Sequence, residues 1–224
     1  MWNRRARGLP LVVALVVVAC GGGDPGTEPT IAPGEGAGSA VAAVEDLVAA
    51  INAADFADAS RLAVPGQAAL AALAEGATFG AVARSLAEGD EEIAANFWTG
   101  FAQETGGFLT GDVSVVDDGT IDQDEAEFHV VTVTPPDGSA RSILLRDVDG
   151  YRVDIFASFG SGLADKMTGP VERILATQTA DAQLILAELQ GIVPSLHVAA
   201  SLPGTTAAAS QQLFALIEVI TRVG

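Results

Sequence analysis

The chain has little of what most often carries chemistry. Its 224 residues include one cysteine, two histidines and one tyrosine. A single cysteine excludes an internal disulfide, and two isolated histidines without a neighbouring free thiol give no basis for a transition-metal site. Aromatic residues make up 5% of a chain that is 49% hydrophobic, because alanine and valine supply much of the apolar content. Helices packed through small side chains are therefore expected, with few rings to stack on a ligand. Basic residues are also scarce: 11 against 29 acids, for a net charge of −18, and Arg4, Arg5 and Arg7 fall in the first 19 residues. So acidic a surface repels nucleic acid and anionic headgroups, which excludes a nucleic-acid role and suits a soluble domain or a basic partner. No aliphatic run reaches the ~20 residues that a permanent membrane span requires.

What is present begins at the N-terminus. Met1–Gly8 is short and basic, Leu9–Val18 is apolar apart from Pro10, and Ala19 is small. This is the pattern of a secretory signal. The Arg4-Arg5 pair is not followed by the apolar residues of a twin-arginine signal, so the general secretory route is expected. The tetrad Val17-Val18-Ala19-Cys20 resembles the bacterial lipobox. That resemblance implies removal of residues 1–19, a diacylglyceryl thioether on Cys20, and a membrane anchor through lipid on the extracytoplasmic side of the bacterial cell envelope. Each acyl chain contributes about 0.8 kcal/mol per buried CH₂, so two or three chains such as palmitate hold a protein firmly on a bilayer.

Residues 20–40 comprise the cysteine and a Gly/Pro-rich stretch that reads as a disordered linker, with a root-mean-square reach of roughly 25 Å. From 41 to 224 the pattern is that of one α+β domain. Val41, Val44, Val48 and Ile51, with Leu47, recur at helical spacing. Asp55 suits an N-cap for a second helix that Pro65-Gly66 ends, and further helices fit Gln67–Ala74, Thr78–Ala87 and a segment capped by Asp90. Ile93, Phe97, Trp98 and Phe101 share one side of that last segment, which Gly106-Gly107 ends.

Period-two alternation then predicts strands over Val113–Val116, Glu125–Thr134, Ala140–Val148 and Tyr151–Ala157, with a two-residue hairpin at Asp149-Gly150. Gly160-Ser161-Gly162 reads as a loop. Pro170 suits the first turn of a helix running towards Gly191, and a final amphipathic helix carries Leu213, Leu216, Ile217 and Ile220. The expected fold is α+β: N-terminal helices, a four-stranded antiparallel meander, and C-terminal helices packed on the sheet.

Two stretches together, "VAAVEDLVAAINAADFADASRLAVPG" and "ARSILLRDVDGYRVDIFAS", resemble the nuclear transport factor two-like (cystatin-like, SnoaL-like) superfamily. The first is similar to that family's opening helices and the second to its late hairpin. The resemblance covers roughly residues 41–158. It implies a bent sheet around a long helix with a cone-shaped pocket, and in its isomerases and hydratases an Asp–His or Asp–Tyr pair in the cone. Here Asp154 and Tyr151 are the candidates, but three residues apart on one strand they face opposite sides. Some sixty helical residues beyond the last strand depart from the family and either cap the pocket or cover the sheet.

Other candidates each carry two readings. Asp117–Glu125, "DDGTIDQDE", offers carboxylates to a calcium ion, yet lacks the spacing of an EF-hand and reads also as a solvated connection. His129 lies two residues from Glu127, as an oriented general base would, or as a polar position on a wet sheet face. His197, alone in "PSLHVAA", reads as structural. Ser161 in "FGSG" lacks the glycine spacing of a nucleophile elbow.

The expected function is a non-enzymatic lipoprotein anchored through Cys20 that binds an apolar small molecule, lipid or envelope protein, without cofactor, metal or catalytic residue. An isomerase or hydratase in the same fold, or an adaptor with no open pocket, are the alternatives.

Overall fold

A computed structural model of the chain describes residues 36–89, 91–104, 112–136 and 138–222. Cys20, the signal-like stretch before it, Asp90 and Gly106-Gly107 lie outside the described residues. Ser39 opens the first helix, α1 (Ala40–Asn52), by accepting from Ala42 N–H at 3.1 Å. Its apolar stripe, Val44, Leu47, Val48 and Ile51, is buried, as the helical spacing predicts. Asp55 caps α2 (Phe56–Arg61) through Asp58 N–H at 3.0 Å. Three more helices follow: α3 (Gln67–Ala71), α4 (Phe79–Glu88) and α5 (Glu91–Glu104). Thr78 caps α4, and Gly89 at φ 71° ends it in the left-handed conformation that glycine adopts without strain. Phe97 and Phe101 of α5 are buried with their rings edge-to-face against Trp98.

The meander comprises β1 (Ser114–Gln123), β2 (Ala126–Thr134), β3 (Arg141–Asp147) and β4 (Tyr151–Val153), antiparallel and in the order β1-β2-β3-β4. The β1–β2 turn is a two-residue loop with both residues at positive φ, Asp124 (50°) and Glu125 (65°), as a type I′ turn requires. At the β3–β4 turn Asp149 (53°) and Gly150 (96°) are also at positive φ, but Asp147 pairs with Tyr151, so the loop comprises Val148, Asp149 and Gly150 and not the two residues expected. Alternation divides β2 and β3 between two cores. Val131, Val133, Ile143 and Leu145, with Val153, join α1 in the main core. On the other face Phe128 and Leu144 meet Ala157 and Val198 in a smaller cluster. Each large aliphatic buried in this way contributes about 1.5–3 kcal/mol.

Four C-terminal helices complete the α+β fold: α6 (Ile155–Leu175), α7 (Ala180–Gly191), α8 (Val193–Ser201) and α9 (Ala207–Thr221). Here the structure differs from the expectation in three places. The last strand stops at Val153, because Asp154 accepts from Ala157 N–H at 2.9 Å and starts a helix where a strand over Tyr151–Ala157 was predicted. Gly160-Ser161-Gly162 is not a loop but lies inside α6. Gly160 faces α8 and α9, where a Cβ would stand at ordinary contact distance, 3.4 Å from Leu213 and 3.5 Å from Ala199. Pro170 is interior to α6 instead of opening a helix, and the helix expected to run on towards Gly191 ends at Leu175, with α7 starting afresh at Ala180 under a Thr179 cap. The lost backbone bond is offset by the buried flank of Leu163, Ala164, Met167, Val171 and Ile174.

The fold also starts earlier than Val41. Gly36 N–H donates to Asp149 C=O at 2.7 Å, and Ala37 exchanges hydrogen bonds with Tyr151 at 3.1 and 2.9 Å. Residues 36–40 of the linker-like stretch therefore belong to the fold. A second segment runs parallel to β4: Val153 N–H donates to Leu62 C=O, and Val64 N–H to Val153 C=O. The β4 edge is thus covered, whereas β1 pairs with β2 alone among the described residues.

No single described helix is long and apolar enough to cross a membrane. The pair α7 and α8 passes by composition but is bent by 42°, and its Ile185, Leu189 and Leu196 are buried in the main core.

Candidate functional site

The densest polar constellation inside the described fold gathers at the end of β4. Asp154 is fully buried. One carboxylate oxygen caps α6, and the other accepts from the Ser195 hydroxyl of α8 at 2.7 Å. Gln67, the first residue of α3, accepts from Ile155 N–H at 2.6 Å through Oε1, and its side chain also hydrogen-bonds Asp154. Three elements distant in sequence thus converge on one carboxyl. Burial pushes that carboxyl above the ordinary value, against the hydrogen bonds from Ala157, Ser195 and Gln67 and the charge of Arg146, which favour the anion. Ser158 adds a neighbouring pair of bonds to the Leu144 backbone, at 2.9 and 3.1 Å. The arrangement is sealed: Ser195 is fully buried, Gln67 is 3% exposed, and nothing the size of a substrate reaches the carboxyl.

The sequence candidates fall in separate places. Tyr151 and Asp154 do not converge, although the reason is not strand alternation, since Asp154 has left the strand. Tyr151 packs edge-on against His129, with ring centres 4.7 Å apart. His129 Nε2 is 3.4 Å from the exposed Glu127 carboxylate. That couple sits on the sheet surface beside Tyr151, outside the cavities described below. Ser161 is an exposed position of α6. The acid-rich segment Asp117–Glu125 is not a connecting loop: all but its last two residues belong to β1, which a bulge at Asp117/Gly119 interrupts. Three of its five carboxylates are engaged, each at a different place. Asp117 accepts from Gly119 N–H at 2.9 Å, Asp118 accepts from the Thr132 hydroxyl, and Asp124 pairs with His197. Among the described residues no three His, Cys, Asp or Glu side chains gather closely enough to hold a metal ion.

His197 has the structural role expected of it, but not in isolation. Its Nδ1–H donates to Asp124 at the β1–β2 turn, joining α8 to the tip of the hairpin, and Phe214 of α9 stands beside it. This hydrogen bond holds the Asp124 carboxyl below its ordinary value. No local pattern could have found the pair, because its members are 73 residues apart. Asp154 did leave a signal: an aspartate just before an apolar run is an N-cap candidate.

Three described cavities open at the surface. One of about 300 Å³ lies beside α2, α3 and α4, with Ala63, Val64, Pro65 and Ala68 as apolar lining and Arg61 and Arg152 as its charged groups. Arg152 is 6% exposed and donates to the Arg61 and Val148 carbonyls. The others, about 330 and 270 Å³, lie beside Glu75 and Asn96 and beside Val48 and Val113. None contains Asp154, His129 or His197. The indole Nε1 of Trp98 is buried without a hydrogen-bond partner among the described residues, within the aromatic cluster of α5.

No protein-family model, curated protein or solved structure matches this chain.

Proposed function

We propose that the chain is a lipid-anchored protein of the bacterial cell envelope, tethered on the extracytoplasmic side through Cys20, whose folded unit is a non-enzymatic binding module for an envelope partner. The observation that carries this reading is the tetrad Val17-Val18-Ala19-Cys20, placed directly after a basic and then an apolar segment. The lone cysteine supports it, since an exported free thiol is a liability unless modified. A module working through its surface, not through a deep apolar pocket, is supported by the packing of α1 directly on the sheet and by cavities at the small end of the ligand-binding range. The position of α1 and the Asp149-Gly150 hairpin also support the resemblance to the nuclear transport factor two-like superfamily as the source of the architecture.

The test is intact-mass analysis of membrane fractions after expression of the full chain in a bacterial host. The wild type is expected to carry acyl groups on Cys20 as its first residue, and Cys20→Ala is expected to lose both the added mass and the membrane association. A mature wild-type protein with an unmodified cysteine overturns the reading.

A further inference from the structure

A sheet has two edges, and this one closes one of them. Along β4, Tyr151 exchanges bonds with Ala37 while Val153 is bonded to Leu62 and Val64. Along β1 the outward N–H and C=O groups face no described strand. β1 is ten residues long, which is long for an open edge. Its tip is held in place by the His197–Asp124 contact, so the strand is presented preformed.

We infer that the β1 edge accepts an extended, lysine- or arginine-bearing segment of an envelope partner as an added strand. The inference rests on the reading of the folded unit as a partner-binding module and names the chemistry of that partner. Strand addition takes its affinity from main-chain hydrogen bonds and its selectivity from the side chains that alternate along the edge. Here those side chains choose the sign of charge. Asp117, Asp118 and Asp122 are exposed on β1, and no basic residue occurs between Asp112 and Glu125.

A second copy of the same strand would set carboxylates opposite carboxylates, which is destabilising, whereas a basic strand would neutralise them. The acids that guard the edge against its own kind are thus the acids that would admit a basic partner. Val116, 52% exposed, adds an apolar contact. The bulge divides the edge into Ser114–Asp117 and Gly119–Gln123, so the added strand pairs continuously over one such run.

Hydrogen–deuterium exchange on the full-length chain in detergent tests this. The probes are a synthetic peptide alternating lysine with valine and threonine, the same peptide with glutamate for lysine, and a lysine peptide of equal charge broken by prolines. Without peptide, every second amide of β1 is expected to exchange rapidly. The lysine peptide is expected to slow those amides by about tenfold or more, and the other two to leave them unchanged. Asp117→Lys with Asp122→Lys is expected to weaken peptide binding by about tenfold, with unchanged protection in β2 and α1 showing that the fold is retained. Equal binding of the proline-broken peptide would reduce the effect to charge attraction and overturn strand addition. Protection of the whole of β1 in the free chain would do the same, because the chain itself or a second copy would then occupy the edge. Either failure leaves the lipid anchor untouched, since the mass at Cys20 decides that separately.

Discussion

The two edges of the sheet show opposite solutions to one problem. Unpaired strand groups must be satisfied, covered or guarded. At β4 they are covered: three residues of strand are flanked by Gly36-Ala37 on one register and by Leu62–Val64 on another, and the strand passes at once into α6 through Asp154. At β1 they are guarded instead, by aspartates and a bulge. The covered edge depends on contacts between distant parts of the chain, and its glycines and buried polar groups have little freedom to change. The guarded edge depends on water and charge. Its carboxylates are mostly exposed, and a surface pair at the hairpin tip ties it to α8. Substitutions should accordingly cost more at the β4 end than at the β1 end.

The largest effect is expected from Asp154→Ala. The substitution removes the cap of α6 and leaves the Ser195 hydroxyl, the Gln67 amide and the Ala157 N–H without their shared acceptor inside the protein. At about 1 kcal/mol for each lost bond, with an added desolvation cost for the stranded groups, a loss of about 3 kcal/mol is expected in urea unfolding. Asp154→Asn keeps an acceptor oxygen and should lose less. The variants also read out the sign of the pKa shift. A carboxyl raised by folding stabilises the fold fully below its unfolded value, ordinarily 3.8, and loses that contribution as pH rises through the folded value. Asp154→Asn is therefore expected to flatten a decline in stability that the wild type shows as pH rises from about 4. An unchanged pH slope would mean that Asp154 keeps its ordinary value despite its burial.

Gly36→Ala breaks the covered edge directly. The new Cβ would lie 2.5 Å from the Gly150 carbonyl carbon and 2.9 Å from its Cα, both backbone atoms with no room to yield. The expected outcome is detachment of residues 36 and 37, with loss of their three hydrogen bonds to the Asp149–Tyr151 backbone. The cost should be about 1–2 kcal/mol, less than the bonds alone imply because the freed segment regains entropy. The measurement is exchange at the Tyr151 amide, which should become fast while β2 stays protected. A still-protected Tyr151 would show that the close glycine contact is not what closes the edge.

Legibility in the sequence follows the range of the interactions involved. The stripe of α1, the Asp55 cap and the Asp149-Gly150 turn were readable because each rests on residues within a turn or two of one another. The start of β1 was readable too, within Val113–Val116, but its acid-rich continuation to Gln123 was not. Aspartate and glycine disfavour strands in isolation, and pairing with the apolar β2 overrides that preference. The start of α6 was misread because Ile155, Phe156 and Ala157 continue the apolar run of β4, and the capping role of Asp154 outweighs their strand propensity. The polar convergences were the least accessible. Gln67 bonds Ile155 across 88 residues and Ser195 bonds Asp154 across 41, and a pairing of that kind exists only once the topology is known.

The smallest effect is expected at the guarded edge, from Asp124→Asn. Asp124 is held by His197 at the tip of β1 and β2, and its carboxyl lies below the ordinary value of 3.8 because of that hydrogen bond. A carboxylate lowered by folding contributes its stability above the unfolded value and loses it as pH falls through the folded one. The wild type should therefore lose stability more steeply than Asp124→Asn below about pH 4, and the two curves should converge in strong acid. This is opposite in sign to Asp154, so the same titration separates the two ends of the sheet. Local exchange sharpens the reading: in the variant, amides from Gln123 to Ala126 should open faster at neutral pH, while Tyr151 and Val153 at the covered edge stay unchanged. Parallel acid limbs for wild type and variant would mean that α8 is held to the hairpin by Phe128 and Val198 packing alone, and that β1 is less firmly presented than its partner-binding role requires.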